Sequence, residues 1–216
     1  MELTERVTRE TRDAAGLLVL RPRSESGSDS TCKRLLAGGS RPVSLFGVCF
    51  SQSPARWYDD WVTALGGPPS NAAVVTTPDR ATDDVPDGVA VETVPTPADL
   101  THVGMQATRY TGLWTAGEGG DSHTEVLVSV DSLDLLLQYV SLETLYRFLH
   151  VLVGRLDTLG FDHRGTEDAD GPRLGARGLF FLDPSTQDQQ TVTTLESLFH
   201  GVLSYEDGGG WRLRTQ

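Results

Sequence analysis

Short continuous apolar runs alternate along this chain with longer stretches in which apolar residues recur every three or four positions. That alternation restricts the fold more than any other feature. Residues 16–20 (GLLVL), 43–50 (VSLFGVCF), 72–76 (AAVVT), 89–94 (VAVETV), 125–130 (EVLVSV) and 178–182 (GLFFL) read as short, largely buried strands. Amphipathic stretches of helical period lie between them. Ser53 and Pro54 supply an N-cap and a first-turn proline for a helix that carries Trp57, Trp61 and Leu65 on one face and stops at Gly66-Gly67-Pro68. Leu100, Val103, Ala107, Tyr110 and Trp114 keep the period after Asp99, and the longest such face runs from Leu142 to Leu159. Val192, Leu195, Leu198, Phe199 and Val202 predict a last helix, with a hairpin around residues 208–210 after it. Such strands and helices together require an α/β fold, with a mostly parallel central sheet and helices on both faces. A single domain over residues 1–216 is expected, with 161–177 (FDHRGTEDADGPRLGAR) as a mobile loop because it offers little apolar surface to pack.

Thirty acidic residues against 18 basic ones give a formal net charge of -12, and of those bases 17 are Arg and one, Lys33, is Lys. An acidic surface almost free of lysine suits concentrated salt, where carboxylates hold water and cations screen their repulsion, so a haloarchaeal cytoplasm is the expected setting. The same balance argues against nucleic acid as a partner, because neutralising phosphates needs clustered Lys and Arg. No apolar run approaches the ~18 residues of a membrane span, and the start, MELTERVTRE, has neither the basic flank nor the apolar stretch of a signal peptide. Cys32 and Cys49 lack metal-ligand or CxxC spacing and read as small buried hydrophobes.

Ligands of open α/β sheets bind beyond the carboxyl ends of the strands. The turns after Leu20, Phe50, Val130 and Leu182 are therefore where chemistry belongs. The first reads RPRSESGSDSTCKRLL. Its Gly27, Ser28, Ser30 and Thr31 would let backbone amides meet an anion, yet no lysine stands where a GxxxxGK[ST] phosphate loop needs one; the plainer reading is a strand-to-helix turn. After the second strand, Ser51 and Gln52 occupy the place of an acid that would polarise water, and neither acts as a base at neutral pH. After EVLVSV, Asp131 ends an apolar run in the manner of a Walker B carboxylate that holds Mg²⁺. The competing reading makes Asp131 or Ser132 the cap of a helix entered at LDLLLQYV. The sequence contains no GxSxG, HExxH, GxGxxG or EF-hand pattern, and its five histidines are scattered. His150 and His200 read as helix-surface or boundary residues, and Trp57 and Trp61 as core anchors rather than a platform for bases.

GLLVL with its loop and CKRLL, RPVSLFGVCFSQSPARWYDDW, EVLVSVDSLDLLLQYV, and GLFFLDPSTQDQQTVTTLESLFHGVL together resemble the RecA-like core of KaiC-type ATPases, from about residue 16 to the end. The resemblance implies a P-loop NTPase fold. It places the phosphate-loop lysine near Ser28 or Asp29, the catalytic glutamates at Ser51 and Gln52, and the Walker B aspartate at Asp131, with Ser132 beside it. The phosphate loop is thus not intact, and only Asp131 matches a functional residue of the family.

A non-catalytic RecA-like domain is therefore expected, a regulatory or signalling module with a protein partner or a second copy of itself, and with no cofactor. The runner-up is weak ATP binding or slow hydrolysis, with amides of residues 24–31, Mg²⁺ on Asp131, and Arg21 and Arg23 as cations. The last reading is nucleic-acid binding through Arg164, Arg173 and Arg177 of the 161–177 loop, opposed there by Asp162, Glu167, Asp168 and Asp170.

Overall fold

The computed structural model describes residues 7, 10–11, 14–22, 32–35, 42–81, 84–116, 125–161, 175–206 and 210–215. Its strands are β1 (Gly16–Leu20), β2 (Val43–Cys49), β3 (Asn71–Thr76), β4 (Val89–Thr93), β5 (Glu125–Asp131), β6 (Ala176–Leu182), β7 (Gly201–Glu206) and β8 (Gly210–Thr215). Its helices are α1 (Pro54–Leu65), α2 (Leu100–Thr115), α3 (Leu133–Leu136), α4 (Leu142–Phe161) and α5 (Gln189–Glu196), besides a helical turn at 32–35 and a 3₁₀ turn at Pro184–Thr186. All strands join one sheet in the order β4-β3-β2-β5-β6-β1-β7-β8. Only β8 runs antiparallel, so the carboxyl ends of the other seven share one edge.

The central strands are buried on both faces, and their side chains still alternate. Leu17, Val19, Leu45, Cys49, Leu127, Leu179 and Phe181 pack with Trp57 and Trp61 of α1 and with Cys32 of the 32–35 turn. Leu18, Leu20, Phe46, Val48, Val128, Val130 and Phe180 pack with α2, α4 and α5 on the other face. Odd positions of β1, β2, β5 and β6 thus share the α1 face. Gly47 belongs to that set, and a Cβ there would overlap the buried Trp57 indole, so glycine lets α1 approach the sheet.

The expected caps of α1 form: the Ser53 side chain accepts a hydrogen bond from Arg56 N at 3.4 Å, and Gly66 closes the helix at φ 78°. Other expectations change. The helix foreseen through Val202 stops at Glu196, and Val202 belongs to β7, which lies parallel to β1. An apolar run on helical spacing and the start of a buried strand look alike over so few residues. Helix α3 is one turn, not a helix through LDLLLQYV, and Ser132, at its N-cap, makes no side-chain cap hydrogen bond. Of the segment 161–177 read as a loop, Phe161 ends α4 and Ala176 and Arg177 begin β6, while 162–174 lie outside the described residues. Strand pairing with β5 recruits Arg177 into the sheet, where its Nη2 meets Glu125 Oε1 at 2.9 Å. No described helix is long and apolar enough to cross a membrane.

Candidate functional site

The strand ends from which the four turns leave all lie on the carboxyl edge of the sheet. Strand β6 lies between β1 and β5, and the register sets Asp131 beside Phe181 on one side and beside Cys49 on the other. Arg21 continues the odd positions of β1, and Asp131 ends the odd positions of β5, so both point to the α1 face. The Arg21 guanidinium lies 5.2 Å from the centre of the Phe181 ring, with Nη2 3.8 Å from Asp131 Oδ1. The Asp131 side chain is 6% exposed and that of Arg21 16%, so the two charges face each other with little water between them. The Asp131–Ser132 peptide is cis.

Cys49 completes this edge. Its thiol lies 3.9 Å from Ser51 Oγ and 3.8 Å from the Gln52 carbonyl. Burial, and after it the negative charge of Asp131, pushes the thiol up to about 12, so it stays protonated and unreactive at neutral pH. Cys32 is buried as well, and both are free thiols as expected. Gln52, in the place of a catalytic acid, donates from Nε2 to Asp60 Oδ2 of α1 at 3.2 Å, and Ser51 gives its carbonyl to Arg80 Nη1 at 3.5 Å.

Asp60 leads to the lysine. Lys33 is completely buried, with Nζ 3.8 Å from Asp60 Oδ2 and 5.3 Å from the centre of the Trp61 ring. The sole ammonium side chain of the protein is therefore part of the packing between the 32–35 turn and α1. Gly27, Ser28, Ser30 and Thr31 lie outside the described residues, as does Arg23. Arg21 and Asp131, read from the sequence as a phosphate cation and a metal ligand, are brought together as a pair. Sequence reasoning missed Asp60 and Phe181; the parity of Arg21, Asp131 and Phe181 was the signal that would have found the second.

A magnesium–triphosphate needs a carboxylate open to a cation and an ammonium near the phosphates. Asp131 faces a guanidinium that would repel Mg²⁺, Lys33 points into the core, and no group of three His, Cys, Asp or Glu among the described residues is placed to hold a metal. These described side chains do not fit that group. His150 and His200 are exposed, as expected of helix-surface and boundary positions, and Arg177 is engaged with Glu125.

The sequence matches DUF7504, a family of unknown function, over residues 14–161, more than half of the chain. The chain belongs to this family. No curated protein matches it. Among solved structures, the DUF7504 chain is similar to the uncharacterized protein PH0321 from Pyrococcus horikoshii, crystallised in complex with an unknown peptide, with a TM-score of 0.58, 12% identity, and coverage of 98% of this chain and 88% of that one. It is also similar to the flagellar accessory protein FlaH from Methanocaldococcus jannaschii, with a TM-score of 0.48 and 11% identity over 92% of this chain and 75% of that one. The type III secretion ATPase EscN from enteropathogenic E. coli gives 0.45 and 13% identity over 91% of this chain but 44% of its own. The fold of this chain is α/β, with a mostly parallel sheet, and it is shared in outline with PH0321.

Proposed function

We propose that this DUF7504 chain is a non-catalytic RecA-like domain of the KaiC type that serves as a regulatory, protein-binding module. The observation that carries the reading is the Arg21–Asp131 pair, which sets a cation on the one carboxylate that matches a nucleotide-site residue. Gln52 in the place of a base and Lys33 buried against Trp61 support it. The peptide held by PH0321 supports peptide or protein recognition on a chain of this fold. Calorimetric titration with Mg²⁺-ATP in molar KCl is expected to give no binding tighter than about 100 μM, or about 5.5 kcal/mol. Tighter binding that disappears in Asp131→Ala would instead establish the weak ATP-binding reading through Gly27, Ser28, Ser30, Thr31 and Asp131.

The charge of -12 and the single lysine support a haloarchaeal cytoplasm as the setting. Carboxylate repulsion then requires salt for folding, and far-UV circular dichroism is expected to show loss of structure as KCl falls from molar to roughly 10 mM, where the Debye length reaches about 30 Å. A spectrum that does not change would refute the salt adaptation.

A further inference from the structure

An apolar concavity of about 750 Å³ lies away from the carboxyl edge, between α2 and α4. Gly104 of α2 forms its floor with Phe148 of α4, since a Cβ on that glycine would come within 3.5 Å of the phenyl ring. Met105 and Val151 stand on the two walls and are 59% and 70% exposed, unusual for large apolar side chains on helices whose other faces are well buried. The rim carries Arg109, Arg147 and Arg155, and none of the lining residues is acidic. In a chain with 30 acids and 18 bases this is a local inversion of charge. Arg109 meets Glu92 at 3.2 Å and Arg147 lies 3.9 Å from Glu143, both pairs partly or largely open to solvent, and Arg155 has no ion pair among the described residues.

A groove between two helices, apolar inside and cationic at the rim, suits a third helix with an apolar stripe and acidic flanks. A second copy of the chain fits poorly. A symmetric contact through this face would set arginines against arginines, and α1 and α5 turn their apolar residues inward. A flat anionic lipid surface would leave the Gly104–Phe148 floor unfilled. We propose that the groove between α2 and α4 docks an acidic amphipathic helix of another protein, its apolar side chains on Phe148 between Met105 and Val151 and its carboxylates on Arg109, Arg147 and Arg155. This assignment rests on the protein-binding reading of the domain and names its surface and partner chemistry. In concentrated salt the Debye length is about 3 Å, so only carboxylates in contact with these guanidinium groups contribute to recognition.

The test is selection of random peptides of roughly 16 residues, about four and a half helical turns or 24 Å, displayed against the intact chain in molar KCl. Enriched peptides are expected to carry an excess of Asp and Glu with apolar residues at i, i+3 or i+4, and i+7. A labelled consensus peptide should lose affinity at least about tenfold in Val151→Asp and in Arg147→Glu/Arg155→Glu, both exposed sites whose circular dichroism should stay that of the parent. The charge-reversed variant should in turn prefer the same peptide with Lys in place of Glu. Enrichment of neutral or basic peptides, affinity indifferent to these substitutions, self-association abolished by Val151→Asp, or retention on anionic vesicles with no peptide enriched would each overturn the assignment. Those outcomes leave the Mg²⁺-ATP titration untouched, so the groove and the non-catalytic reading fail separately.

Discussion

Lys33→Ala is expected to destabilise the fold by roughly 2–4 kcal/mol, whereas Lys33→Met should cost less than about 1.5 kcal/mol. The Lys33 side chain is fully buried between the 32–35 turn and α1, and its stem fills space beside Trp61. Alanine removes that stem and opens a cavity against a large, rigid indole. Methionine keeps the unbranched shape and places a polarizable sulfur near the ring. The facing carboxylate tolerates either change, because the Asp60 side chain is 38% exposed and can regain water. Denaturant unfolding in molar KCl would measure both values, with equal slopes showing that the unfolding transition itself is unchanged. Equal damage by Ala and Met would show that the ammonium, not the stem, is what the site requires. A change in Mg²⁺-ATP binding with stability intact would return the lysine to a nucleotide site and overturn its structural role.

The same lysine shows what was legible beforehand. Its absence from the phosphate loop could be read from RPRSESGSDSTCKRLL alone, since that is a matter of position in the chain. Its burial could not. A lysine two residues after a Ser/Thr-rich turn reads as solvated until α1 is folded over it, and α1 approaches because Gly47, remote in sequence, leaves room for Trp57. The sheet was legible for a related reason: six apolar runs stand out against polar surroundings, and Ser53, Pro54 and Gly66 mark the ends of α1 locally. β7 was hidden because Phe199 and Val202 continue the spacing of α5, and only contact with β1 distinguishes the strand. The site was half legible. Arg21 and Asp131 were both singled out, but 110 residues of chain separate them, and no local signal says that β6 will insert between their strands and bring them onto one face.

Asp131→Ala is expected to cost about 3 kcal/mol, the lower end of the range for breaking a buried pair because the Arg21 side chain keeps 16% exposure. The loss comes mainly from leaving the guanidinium over Phe181 without the carboxylate that faces it. Asp131→Ala combined with Arg21→Met should therefore cost less than the sum of the two single changes, and this coupling is what a nucleotide or metal role for Asp131 alone would not produce. Cys49 supplies an independent readout. Its thiol stands at about 12 against 9.0 ordinarily, through burial first and Asp131 second. A raised thiol favours the fold fully below pH 9 and withdraws that support as the pH climbs from there through about 12, since the unfolded chain ionises first. Without Asp131 the folded thiol titrates lower, so the pH profile of stability, measured in a Cys32→Ser background, should lose its support over a narrower alkaline window. If the profile stays in place while stability falls, Asp131 acts through Arg21 only; if neither moves, the carboxylate is not held against these strands and is open to a ligand.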